Sequence, residues 1–362
     1  MAKKKDIGLL TIHDTQNFGS LMQTACTCWA LRRLGADFQL IDYKNVAIAQ
    51  REHVRTLREV RSLKMLLRWL RYDIVIGKKV KGFWHALRQA AEITPAYDKD
   101  TVKAVNEMFG SFLVGSDIVW GEGVTGSDWT YFLDFSDAEK KKFSFSSSIG
   151  ESWSPENREK IATYLRRFQS IAVREQEAAE WVRETAGVEA LETCDPTMLF
   201  DAAFWQQYAA PVRSGKPYVL VYMEGGPEPI RHACEYAKAH HCAVWVVKYG
   251  RPIPGTRSVR PCRPEDWVAL FKHAQTVFTA SYHGLLFSLY THRNVFFYNI
   301  RNGKSRINAL AEEFRISHRE YSEENFRKDL PIDYDYVEQV MAQKRQVSWD
   351  RLAEIVSAAK QD

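Results

Sequence analysis

The stretch from residue 7 to residue 43 constrains the fold most. "IGLLTI" (7–12) reads as a buried strand, "GSLMQTACTCWALRRLG" (19–35) as a helix closed by Gly35, and "DFQLIDY" (37–43) as a second strand. A strand, a covering helix and another strand in close succession form the unit from which parallel sheets are built, which sets the expectation of an α/β chain. At 362 residues the chain exceeds what one hydrophobic core comfortably serves, and two domains of ordinary size are expected.

The pattern continues along the chain. "SFLVG" (111–115), "KFSFSSSIG" (142–150) and "QSIAVRE" (169–175) read as further strands of the same sheet, with "SPENREKIATYLRRF" (154–168) the clearest helix between them. "TCDPTMLFD" (193–201) has the proline and polar content of a domain connection. A second series then follows: strand "KPYVLVYM" (216–223), helix "IRHACEYAKAHH" (230–241), strand "CAVWVVKYG" (242–250), helix "PEDWVALFKHA" (264–274), and "TVFTASYHGLLFSLYTHRNVFFYN" (276–299) as strand, turn, helix and strand. The expected organisation is a Rossmann-like domain over 1–195 with a basic helical insertion at about 51–90, a second Rossmann-like domain over 196–335, and a C-terminal helical segment over 336–362 packing back on the core.

Two doubly wound domains imply a cleft, and ligands of such sheets bind outside the carboxyl ends of the strands. Polar or glycine-bearing segments fall there: "HDTQNFGS" (13–20), "GSDIVW" (115–120), "SSSIG" (146–150), Arg174, "EGGPEP" (224–229) and "SYHG" (281–284). "EGGPEP" lacks the spacing of a dinucleotide or P-loop cradle and reads as a tight turn. No spacing of histidines, cysteines or carboxylates suggests a metal, and none is expected.

At these segments the sequence resembles the polysaccharide pyruvyl transferase family, in order along nearly the whole chain. The pieces are "LLTIHDTQNFGSLMQTACTCWALRRLGADFQLIDY", "ITPAYDKD", "FLVGSDIVWGEG", "YFLDFSDAEKKKFSFSSSIG", "IAVREQEAAEWVRETAGVEALETCDPTMLFD", "ASYHGLLFSLYTHRNVFFYN" and "KSRINALAEEF". The resemblance implies a glycosyltransferase-B-like fold. It also implies transfer of pyruvate from phosphoenolpyruvate onto two hydroxyls of a sugar in a polysaccharide or lipid-linked precursor, giving a cyclic ketal and phosphate. Phosphoenolpyruvate is the donor substrate, and no cofactor is implied.

The resemblance implies that His283 carries acid-base work and that Arg174 belongs to the phosphoenolpyruvate site. Asn17, Gly19, Ser116, Asp117 and Gly284, with Ser281 beside it, match motif positions lining the cleft. Ile118 stands where the family usually has Gln, and "SSSIG" replaces a small-residue and Phe-Gly pattern.

The chemistry suits these residue types. A phosphate and a carboxylate need fixed positive charge and oriented N–H donors, which a guanidinium fork and the start of a helix near Gly284 provide. A vinyl carbon that gains a proton and hydroxyls that lose theirs are served by a group titrating near neutrality, such as the His283 ring.

Structural readings stand beside the functional ones. His283 is also the kind of residue that caps a strand-helix turn, and Arg174 has Glu175 and Glu177 as surface partners. Asp117 either caps a turn or holds the sugar or the histidine. His13 and Asp14 sit at a strand end, where both are placed to contact the acceptor, although Asp14 reads equally as a helix cap. Lys304 and Arg306 are either phosphate ligands or an ordinary basic loop. Two other functions stay open: a glycosyltransferase using a nucleotide sugar, and a non-catalytic saccharide-binding protein of the same fold.

The net charge of +5 is uneven: residues 51–90 hold eleven Lys and Arg against three Asp and Glu, a local +8. Over 54–77, Leu57, Val60, Leu63, Leu67 and Leu70 form an apolar helical stripe beside six cations. Such a helix either lies on an anionic membrane or packs its stripe on the first domain; no nucleic-acid recognition motif accompanies the charge. Six cysteines without a C-x-x-C pair, no apolar run of spanning length and no cleavage pattern after the basic start suggest reduced thiols and a cytoplasmic protein, either free or peripheral at the inner face of the membrane.

Overall fold

Short apolar strands alternate with helices, and this alternation sets the architecture seen in the computed structural model, which describes residues 4–212, 215–223, 225–299 and 306–360. The first sheet contains β1 (Lys5–Leu10), β2 (Phe38–Tyr43), β3 (Ile93–Tyr97), β4 (Phe109–Val114) and β5 (Lys141–Ser144), all parallel, in the order β3-β2-β1-β4-β5. Leu9 lies opposite Leu40 on one side and Leu113 on the other, and all three are fully buried. Burial on both faces is why these strands read as unbroken apolar runs.

Two short strands, β6 (Ala172–Val173) and β7 (Leu191–Glu192), pair with each other. The second large sheet holds β8 (Tyr218–Tyr222), β9 (Ala243–Val247), β10 (Arg257–Val259), β11 (Thr276–Thr279) and β12 (Asn294–Phe297), again parallel, in the order β10-β9-β8-β11-β12. Each sheet thus has its first strand at the centre, and chain order reverses beside it, between β1 and β4 in one and between β8 and β11 in the other. These are two Rossmann-like folds in one chain.

Several expectations need correction. The serine-rich stretch does not continue as a strand to residue 150, and 169–175 does not join the first sheet as a full strand. Between them the pairing is irregular, with isolated bridges from Phe143 to Ser170 and from Ser147 to Val173 and backbone bonds such as that from the Ser144 amide to Ser170 O. The serines explain this: the hydroxyls of Ser144, Ser146 and Ser147 donate to the carbonyls of Ala172, Cys194 and Val114 in place of a regular ladder. Strand β3 carries Pro95, which an edge strand tolerates.

Contacts divide the chain into one unit of residues 1–53, 84–200 and 343–362 and another of 54–83 and 201–342. Part of the basic insertion therefore groups with the second unit and not with the first. The last helix runs from Tyr334 to Lys360, close to the expected 336–362 segment. Its later part belongs to the first unit because Lys344 pairs with Glu192 at 2.7 Å, Ser348 Oγ accepts from the Cys194 amide at 2.8 Å and the Trp349 indole donates to Leu199 O.

The single helix expected over 54–77 is also corrected. Leu57–Glu59 is a separate 3-10 turn, and the helix starts at Leu63 after Ser62, whose hydroxyl accepts from the Met65 amide. It passes through a π-helical turn, Trp69–Asp73, into Ile74–Ala90. All six cysteines are free thiols. No helix among the described residues is long and apolar enough to cross a membrane.

Candidate functional site

In the first unit the polar segments gather where the sheet order reverses, outside the carboxyl ends of β1 and β4. The loop after β1 carries His13, Asp14, Asn17 and Gly19; the loop after β4 carries Gly115, Ser116 and Asp117. Asn17 caps the Phe18–Arg33 helix, its side-chain oxygen accepting from the Gly19 amide at 2.8 Å. Asp14 therefore is not that cap. Its carboxylate instead takes the Lys44 ammonium at 2.6 Å.

Gln23, on the same helix and fully buried, ties the two loops together. Its side-chain oxygen accepts from Ser116 Oγ at 2.6 Å while its amide nitrogen donates to Ile12 O and Ser20 O. A glutamine between the apolar Met22 and Ala25 of this helix was the available sign of this role. Asp117 is buried with a positive φ of 72°, and its carboxylate accepts from the Ile118 amide at 2.8 Å. It closes its own turn.

A charged cluster, of which the sequence pointed to His13 and Asp14 but not to Asp42 or Lys44, sits at the same end of β1 and β2. His13, 2% exposed, meets Asp42 Oδ1 at 3.0 Å and Thr11 O at 3.1 Å, and its ring stands edge-on to Trp84. Lys44 bridges Asp42 at 2.9 Å and Asp14, and lies 4.7 Å from the Trp84 ring centre. Beside them a small pocket is lined by Asp14, Lys44, Asn45 and Tyr131 among others. Asp42 and Lys44 interrupt the apolar run "LIDYK", and that interruption was the only sequence signal.

Burial raises the Asp42 carboxyl, but hydrogen bonds from His13 and Lys44 outweigh it and hold the group below its ordinary value. Burial lowers the Lys44 ammonium, but Asp14 and Asp42 outweigh that and hold it above its ordinary value. Asp42 thus stabilises the fold above the unfolded carboxylate value and loses this as pH falls through its depressed folded value. Lys44 stabilises below the unfolded lysine value and loses this as pH rises through its raised one, so the cluster acts between about pH 4 and pH 10. Lys44 and Asp14 are partly open to water, so Lys44→Met is expected to cost about 1 kcal/mol at pH 7. In urea unfolding that cost should shrink by pH 3.5; a cost independent of pH would contradict the assignment.

In the second unit the equivalent reversal point lies outside β8 and β11. Ser281 caps the Tyr282–Tyr290 helix, its hydroxyl accepting from the Gly284 amide at 3.2 Å, and His283 is the second residue of that helix, 9% exposed, with its ring edge-on to Tyr282. Gly284 is needed for packing: a Cβ there would lie 2.2 Å from Thr279 Oγ1 and 3.0 Å from the Tyr222 ring. The glycine thus permits the close approach of the helix to β8 and β11. Arg306 begins the Arg306–Glu313 helix with its guanidinium 5.9 Å from the Tyr282 ring centre; Lys304 lies outside the described residues, as does Glu224 of "EGGPEP".

The model of the polysaccharide pyruvyl transferase family matches residues 17–302, a range that takes in Asn17, Gly19, the loop after β4 and Ser281 to Gly284, but not His13, Asp14 or Arg306. The chain belongs to that family. The family is one of transferases. No curated protein matches the sequence significantly.

Among solved structures, a UDP-GlcNAc 2-epimerase from Methanocaldococcus jannaschii is similar at 11% identity and a TM-score of 0.52, over 97% of this chain and 99% of that one. A candidate UDP-N-acetylglucosamine 2-epimerase from Listeria monocytogenes is similar at 10% identity and a TM-score of 0.52, over 97% and 91%. At such identity the likeness shows the fold alone. That fold is the glycosyltransferase-B-like one, with two Rossmann-like domains.

Arg174, expected at the donor site, directly follows β6. Its side chain is 1% exposed; Nε donates to Glu175 Oε1 and an Nη to Asp195 Oδ2, each at 3.0 Å. It is a buried cation held by two carboxylates and not a solvated surface charge. Asp195, itself buried, also accepts from the Thr197 amide and hydroxyl. Among the described residues no group of three His, Cys, Asp or Glu side chains is placed to hold a metal.

Proposed function

We propose that this transferase moves pyruvate from phosphoenolpyruvate onto two hydroxyls of one sugar. The observation that carries this reading is the family match together with a histidine held at the start of a helix outside β11, at the point where the second sheet reverses its order. Two sugar oxygens bond to the carbon that bore the phosphate, its bond to the phosphate oxygen breaks, and the methylene carbon gains a proton to become methyl. Of the two hydroxyl protons, one balances the proton added to carbon and the other leaves with the phosphate or the base. His283 shuttles these protons.

Positive charge near the Tyr282–Tyr290 helix start favours the anionic donor. The helix dipole and Arg306 supply it, with Lys304 nearby in sequence. Ser281 fixes the turn that aims His283. In the first unit Asn17, Gly19, Ser116 and Asp117 shape the loops, and Asp14 with Lys44 offers an acceptor and a donor to sugar hydroxyls.

His283→Asn is expected to lower turnover by about 10²- to 10⁴-fold while leaving the unfolding midpoint near that of the parent. The assay is phosphate release from phosphoenolpyruvate with saccharide acceptors, with the ketal product detected by mass. A variant that keeps parental turnover would remove His283 from the mechanism.

A further inference from the structure

The apolar stripe of the basic segment is not packed away. Leu57 is 57% exposed, Leu63 72%, Leu67 46% and Leu70 50%, half of the large hydrophobic side chains that stand this far into water among the described residues. Leu63, Leu67 and Leu70 follow helical steps of four and three, so they share one face; Lys64, Arg68 and Arg71 each sit one residue on and flank it. Facing this helix within the same unit are Arg251 and Arg260, and the groove so formed has a volume of about 1210 Å³. Six Lys and Arg line it, Arg55 being the sixth, and no Asp or Glu does.

We propose that this face docks on an anionic phospholipid surface, with the leucines entering the boundary between headgroups and acyl chains and the cations meeting lipid phosphates. Charge complementarity selects this occupant. Long cationic side chains beside an apolar stripe extend towards headgroups while their stems remain in the apolar layer. A second copy of the chain would bring like charges together across a symmetric interface. A nucleic acid would satisfy the cations but leave three exposed leucines on a phosphate backbone without a use. Docking goes beyond the proposed catalysis and does not rest on it.

Flotation of the full chain with vesicles tests the proposal. Vesicles of equal parts phosphatidylcholine and phosphatidylglycerol should carry the protein at low salt, and those of phosphatidylcholine alone should not. Binding should weaken about tenfold or more in high salt. It should weaken at least as much in a Leu63→Ser, Leu67→Ser, Leu70→Ser variant and in a Lys64→Glu, Arg68→Glu, Arg71→Glu variant, both expected to fold because the changes are on the surface. Absence of binding by the parent, or binding that survives both sets of changes, overturns the proposal. So does a concentration-dependent oligomer that the serine variant dissolves, or competition by DNA that the leucines do not affect. Flotation is read without turnover, so its failure leaves the catalytic reading standing, and the reverse holds.

Discussion

Arg174→Ala should lower the stability of the protein by about 3 to 5 kcal/mol. The guanidinium is almost fully buried and holds two carboxylates, and the Asp195 side chain has no exposure at all. Removing the cation leaves Asp195 buried without its partner and Glu175 partly so, which costs far more than the net worth of an intact pair. Asp195 also organises the turn at Pro196–Leu199 through Thr197, so the loss should spread to the β6–β7 region. Arg174→Lys keeps the charge but cannot serve both carboxylates with one planar fork, and should fall between parent and alanine variant. Urea unfolding of the three proteins measures this. Lost activity in the alanine variant would then report lost structure. An alanine variant as stable as the parent that fails only to bind phosphoenolpyruvate would return Arg174 to the donor site.

Gly115→Ala should cost about 3 kcal/mol or more. The backbone there has φ of 115°, a region that side-chain-bearing residues rarely adopt. An added Cβ would also lie 2.2 Å from Phe145 O and 2.6 Å from Ser147 Oγ. The first of these is backbone, which cannot swing aside as a side-chain tip does, so β4 and the serine run would have to separate. That movement would carry Ser116 away from Gln23. The expected result is a lower unfolding midpoint, with a hydrogen-exchange increase concentrated at 111–119 and 143–149. A midpoint matching the parent's would show that the loop relaxes freely.

The fold was legible where burial on both sheet faces makes a strand a continuous apolar run, as in "IGLLTI" and "KPYVLVYM". It was not legible at β3, where Pro95 argued against a strand but sits at an edge, nor at β10, whose residues are too polar to stand out. The serine run looked like a strand because its alternation with Phe143 and Phe145 is that of a strand; its hydroxyls then took the neighbouring carbonyls. Leucines of the basic segment read the same whether packed or exposed, since periodicity reports only that they share a face. His283 was visible from its turn and from the family resemblance. Glu175 was legible as a partner of Arg174, but its second partner Asp195, and Asp14 as a partner of Lys44, were hidden because they lie far away in sequence and only the folded chain brings the charges together.

The most direct test of the account is calorimetric titration of the purified protein with phosphoenolpyruvate and, separately, with nucleotide sugars. The account predicts that phosphoenolpyruvate binds, that His283→Asn still binds it, and that nucleotide sugars do not bind. Binding of a nucleotide sugar with none of phosphoenolpyruvate would contradict the account and make a nucleotide-sugar glycosyltransferase the better reading.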